Sequence, residues 1–109
     1  MSKIELHDFV YIGKLLSIYG GLLSADRQKI MTDYFEYNMT LAEIAKQRNV
    51  SRQAVLDAID KSCNKLKEYE NVLMMCKKKD ALIESLTQLS NLNDIETIKE
   101  KVEEILKEV

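Results

Sequence analysis

Apolar residues along this chain recur at intervals of three and four rather than two, so the pattern reads as a succession of helices without strands. Leu6, Phe9, Val10, Leu15, Leu16 and Tyr19 form a first stripe, and Gly20 and Gly21 follow as a stop with freedom for positive φ. The first helix is therefore expected to end near Tyr19. Ser24 offers a side-chain oxygen to the free backbone donors of a second helix, placed at about residues 25–37, whose stripe is Ile30, Met31, Tyr34 and Phe35.

Thr40 followed by Glu43 has the spacing of a capping box and predicts a short third helix over 41–48. Asn49 stands where a tight interhelical turn needs a left-handed residue, a conformation asparagine tolerates better than most. Ser51 is the cap of a fourth helix with inward positions Val55, Ala58, Ile59, Ser62, Leu66 and Tyr69. The pattern continues through Leu73, Cys76, Ile83, Leu86 and Leu89, interrupted by Lys77, Lys78 and Lys79, and fits either one long helix or two. Residues 91–93 read as a loop, and Asp94 caps a last helix bearing Ile95, Ile98, Val102, Ile105 and Val109.

These elements predict an all-α fold, a helix-turn-helix within a three- to four-helix bundle, carrying a C-terminal helical arm. Residues 1–90 are expected to form the helix-turn-helix domain with its N-terminal helix and an extended C-terminal helix. Residues 91–109 are expected to form an amphipathic acidic helix, since they carry six acidic and three basic residues from Asp94 onward. Composition agrees: 109 residues suit one modest core, and the chain has no proline and only three glycines to interrupt helices.

Several function classes fall away. The apolar stretch 9–23 is interrupted by Lys14 and the glycine pair and is too short for a bilayer, and no basic leader with a cleavage site precedes it, so no membrane role and a cytoplasmic location are expected. Cys63 and Cys76 stand thirteen apart without a CxxC pair, and His7 is the sole histidine, so no metal site and no disulfide framework are expected. Both cysteines read as buried reduced thiols. With no glycine-rich phosphate loop and no nucleophile paired with a base, the chain reads as a non-enzyme without cofactor or small-molecule substrate. His7 and the five tyrosines read as ordinary helix residues.

Within residues 40–55, Ala45 supplies the small side chain at the helix crossing and Asn49 the turn, while Ile44, Val50 and Val55 are expected to fill the wedge. The second helix of such a unit enters the major groove by its first residues. Ser51, Arg52 and Gln53 are thereby candidates for base edges, with Arg52 suited to guanine or phosphate and Gln53 to adenine. Thr40, Lys46 and Lys61 are candidates for phosphate contact. Ser51 is needed as a cap in any case, and Arg52 has an alternative role in pairing with Glu43 or Glu36.

Charge moderates the DNA reading. The net charge is −2, and residues 40–68 hold six Lys or Arg against four Asp or Glu. With Val55 taken as inward, Gln53, Asp57, Asp60 and Asn64 turn outward, and Leu56 falls on the flank as a candidate partner contact. Weak duplex binding by one copy, strengthened in a homodimer, is the expectation. Ile95, Ile98, Val102 and Ile105 are candidate partner or dimer contacts.

The stretch 23–66, with Arg27 and Gln28, the run Leu41 to Ala45, and the run Val50 to Val55, resembles region 4 of bacterial sigma factors. More closely, residues 5–90 resemble the small YlxM-like helix-turn-helix proteins. The residues that carry this likeness are the run Ser51 to Val55, Tyr69 with Glu70, and Tyr19 ahead of Leu22 and Leu23. The resemblance implies a DNA-binding type of fold and a regulatory link to the signal recognition particle pathway, the latter from the family's usual gene neighbourhood beside the particle's GTPase genes. Two functional readings follow: a DNA-binding regulator, or a protein or ribonucleoprotein adaptor that contacts a component of that pathway.

Overall fold

The computed structural model describes residues 6–109, with side chains from residue 8 onward. The readings that rest on the side chains of Leu6 and His7 lie outside the described residues. The order is α1 (Leu6–Tyr19), a single 3-10 turn (Gly20–Leu22), α2 (Ala25–Phe35), α3 (Leu41–Arg48), α4 (Arg52–Leu73), α5 (Met75–Ser90) and α6 (Ile95–Glu108). No strand occurs among the described residues. The described residues divide into two compact units, the first running to Met74 and the second Met75–Val109.

In the first unit α4 is the central element, packed against α1, α2 and α3. Ile12, Leu15, Leu16, Tyr19, Ile30, Met31, Ile44, Val55, Ile59 and Leu66 form its core. Phe9 joins from the edge, its ring 4.7 Å from that of Phe35 and 6.1 Å from that of Tyr34. Val10 is exposed and Ile12 takes the core position instead. On a helical wheel centred on Leu15, Leu16 and Tyr19, residue 10 lies on the opposite side.

Neither member of the glycine pair uses positive φ. α1 instead tightens into the 3-10 turn, where the Leu23 N–H donates to the Gly20 carbonyl at 3.1 Å. Gly20 matters for space: a Cβ there would stand 3.2 Å from Leu16 Cδ1. Ser24 then caps α2 by accepting from the Arg27 N–H at 3.2 Å.

α2 ends two residues earlier than the pattern predicts. Asn38 takes a left-handed φ of 55°, and the Met39 N–H folds back onto the Asp33 carbonyl at 3.0 Å, which closes the helix and leaves Tyr37 exposed. Met74 ends α4 with φ 54°, so the ambiguous pattern after Tyr69 resolves into two helices.

In the second unit α5 and α6 form a helical hairpin closed by residues 91–94. The Leu92 N–H donates to the Leu89 carbonyl at 3.1 Å, and Asp94 caps α6 by accepting from the Thr97 N–H and hydroxyl at 3.2 and 2.7 Å. Those bonds hold the Asp94 carboxyl below its ordinary pKa.

Candidate nucleic-acid interface

The two helices of the motif are each started and stopped by local chemistry. Thr40 Oγ1 accepts from the Glu43 N–H and Glu43 Oε1 accepts from the Thr40 N–H, both at 3.1 Å, so the capping box is complete. The Thr40 bonds keep the Glu43 carboxyl ionised below its ordinary range. Asn49 adopts φ 56° and ψ 47°, its N–H reaches the Lys46 carbonyl at 3.3 Å, and the Val50 N–H reaches the Ala45 carbonyl at 3.0 Å. This is a Schellman closure, and it reverses the chain in three residues. Ser51 Oγ then accepts from the Ala54 N–H at 3.0 Å and starts α4.

Ile44, Ala45, Val55 and Ile59 are buried at the α3–α4 crossing. Val50, expected in the wedge, is 48% exposed instead, because the left-handed turn at Asn49 swings it outward. Leu56, expected on the flank as a partner contact, is only 7% exposed and belongs to the core. The reason is a rotation: the buried residues of α4, Val55, Leu56, Ile59, Ser62, Cys63, Leu66 and Glu70, centre the inward face about 40° from Val55. The same rotation leaves Asp60, Ala58 and Tyr69 half-buried.

Thr40, Lys46, Ser51, Arg52, Gln53 and Lys61 are all exposed. Ser51, Arg52 and Gln53 come together at the first turn of α4. Gln53, Asp57 and Lys61, spaced by four, form one outward row along the helix. Within it Gln53 Nε2 donates to Asp57 Oδ1 at 2.9 Å, a contact the sequence reading missed although the spacing permits it. Arg52 forms neither of the alternative pairs: among the described residues it has no hydrogen-bond or ion-pair partner, and Glu43 is engaged with Thr40.

Other nearby cations are engaged. Arg48 pairs with Asp26, and Lys29 Nζ stands 2.8 Å from Asp33 Oδ1. Asp26, Lys29, Gln47, Arg48 and Val50 line an open hollow beside the turn. Asp33 is buried, an unusual place for a carboxylate, and Lys29 balances its charge from the surface. Lys46, Arg52 and Lys61, with Lys67 further along α4, thus carry the available positive charge of the motif, against Asp57 and Asp60. Among the described residues no group of three or more His, Cys, Asp or Glu side chains is placed to hold a metal ion. None of the described helices is long and apolar enough to cross a membrane.

Comparison with known proteins agrees with this geometry. Residues 6–109 match the family described as "Putative helix-turn-helix protein, YlxM / p13 like", UPF0122. A UPF0122 protein of Fusobacterium nucleatum is 37% identical over 101 residues, covering 93% of this chain and 98% of the relative. A UPF0122 protein of Clostridium perfringens is 36% identical over 105 residues, covering 90% and 92%. One from Malacoplasma penetrans is 34% identical over 101 residues, covering 92% and 94%.

Proposed function

Because the chain belongs to the UPF0122 family of YlxM/p13-like helix-turn-helix proteins, we propose that it is a non-enzymatic, cytoplasmic regulator that binds duplex DNA through the start of α4. Arg52 carries this reading. It is exposed at the first turn of α4, its backbone is positioned by the Ser51 cap, and no described residue engages its guanidinium. Arginine here suits the guanine edge or a phosphate, with Gln53 beside it at the groove. Ser51 serves both as cap and as a hydroxyl at the same edge, while Thr40, Lys46 and Lys61 lie toward phosphates.

Few cations take part, so duplex affinity is modest and falls steeply with salt. The regulated process is the signal recognition particle pathway, a reading supported by the family resemblance alone. An adaptor role toward a component of that pathway is favoured instead by the carboxylates of Asp57 and Asp60 on α4 and by the apolar residues exposed on α6.

A fluorescence anisotropy titration on duplex DNA at low and moderate salt tests the DNA reading against an Arg52→Ala, Gln53→Ala variant. The expected outcome is a loss of about 2 kcal/mol, some thirtyfold in Kd. Equal affinity of variant and parent removes α4 from the explanation.

A further inference from the structure

The unit Met75–Val109 has almost no interior of its own. α6 buries no residue, and its partner α5 buries only Cys76. Helical units below about 40 residues rarely hold together without a disulfide, a metal or a further subunit. Both cysteines are free, and the described residues hold no metal-binding cluster. Leu89, Ile98 and Ile105 are half-buried, yet Ile95 and Leu106 are each 69% exposed, Val109 is 87% exposed, and Val102, Leu82 and Leu86 stay open as well.

These exposed side chains form one surface. On α5, Leu82 and Leu86 lie clockwise of half-buried Ser85 and Leu89 when viewed from the helix N-terminus. On α6, Ile95, Val102 and Leu106 lie clockwise of half-buried Ile98, Lys101 and Ile105 in the same view. A short loop makes the two helices antiparallel, and flanks displaced in the same rotational sense on antiparallel neighbours open on the same side.

We propose that this side of the α5–α6 hairpin is the interface between two copies of the chain, which together build a four-helix bundle. Two observations select a second copy as the occupant. First, Ile95, Ile98, Val102, Ile105 and Val109 repeat by three and four with a β-branched residue at every seam position. In coiled-coil helices isoleucine at both seam positions shifts packing toward three or four helices, and each hairpin supplies two. Second, the five open aliphatic residues placed on this side offer on the order of 500 Å² per copy, so two copies reach about 1,000 Å², the size a specific interface has to clear. Such an assembly does not depend on whether α4 meets DNA.

Sedimentation equilibrium of the full chain at micromolar concentrations tests it. The expected mass is twice the 12.6 kDa of one chain. Val102→Glu combined with Leu106→Glu places charge on the open side of α6 and should weaken association at least ~100-fold while far-UV helix content is kept. Val72→Glu, outside the hairpin, should leave the doubled mass intact. Should the double variant lose helix, Leu106→Gln at a mostly exposed site gives the same readout with a smaller shift toward the single-chain mass. A single-chain mass for the parent protein overturns the proposal, as does a folded variant that keeps the doubled mass.

Discussion

The phenol of Tyr19 donates a 2.6 Å hydrogen bond to the carboxylate of Glu70, tying the end of α1 to the last turns of α4 across 51 positions of sequence. Both side chains are buried. The ring of Tyr19 also stands 6.0 Å from that of Tyr69, and Tyr69 Oη reaches the Leu22 carbonyl at 3.4 Å. Two separated parts of the family resemblance, Tyr19 before the leucine pair and Tyr69 with Glu70, are therefore one contact in space. Tyr19→Phe keeps the ring and removes the donor from a buried charged acceptor. The expected cost is about 1–3 kcal/mol, read as a fall in Tm of several degrees at unchanged far-UV spectrum.

Met74 occupies a left-handed conformation that the chain otherwise assigns, among its described non-glycine residues, to Asn38 and Asn49. A Cβ in that conformation costs roughly 1–2 kcal/mol, and asparagine offsets part of it where methionine does not. Met74→Gly relieves this strain but adds freedom to the unfolded chain, so a net gain of about 0.5–1 kcal/mol is expected by chemical denaturation. Asn49→Val, by contrast, puts a β-branched residue at φ 56° and should destabilise the turn by more than that.

Leu56 packs in the first unit's core, so its truncation reads as a folding defect rather than a lost surface. Leu56→Ala should lower stability by about 2–5 kcal/mol in a denaturant titration. A surface-like change of a few tenths would return Leu56 to the role of partner contact.

Burial pushes the Cys63 thiol up to about 11, from an ordinary 9.0. The folded state therefore holds its proton more tightly than the unfolded state does. The stabilisation is fully present below about pH 9 and is lost as pH rises from there to about 11. Comparing the parent with Cys63→Ser isolates it from lysine and tyrosine titration: the stability difference between the two should shrink across that window. In a Cys76→Ser background, Cys63 should react with a thiol reagent only as fast as the fold opens.

The elements of the motif are legible because their signals are local. Thr40 with Glu43, Asn49 and Ser51 each act within four residues, and the bounds of α3 and the start of α4 fall where those signals put them. What depends on the rest of the fold was not legible. The 40° offset of the inward face of α4 arises from α1 and α2 packing on it as well as α3, and that offset decides the fates of Leu56 and Asp60. The end of α2 was misplaced because Asn38 stops it by a left-handed turn that no glycine or proline announces. At the candidate interface the exposure of Arg52, Gln53 and Lys61 follows from their spacing. The freedom of Arg52 was legible in part: the capping box already engages Glu43 with Thr40, whereas whether Glu36 reaches Arg52 depends on how α2 packs on α4.

The row Gln53, Asp57 and Lys61 decides how the surface of α4 meets a polyanion. With one amide N–H given to Asp57, Gln53 keeps its carbonyl and its second N–H, and the neighbouring carboxylate weights this part of the row toward acceptors. Acceptors suit the exocyclic amino groups of cytosine and adenine but repel phosphates. Asp57→Asn removes the charge while keeping a carbonyl that can still accept from Gln53. If the first turn of α4 lies in the groove, the substitution should tighten duplex binding by about 1 kcal/mol, roughly fivefold in Kd at low salt. The gain should shrink as salt screens the repulsion, because the Debye length falls from about 30 Å at 0.01 M to about 10 Å at 0.1 M. An affinity that does not move at either salt concentration would place the phosphates away from this row and favour a protein as the partner of α4.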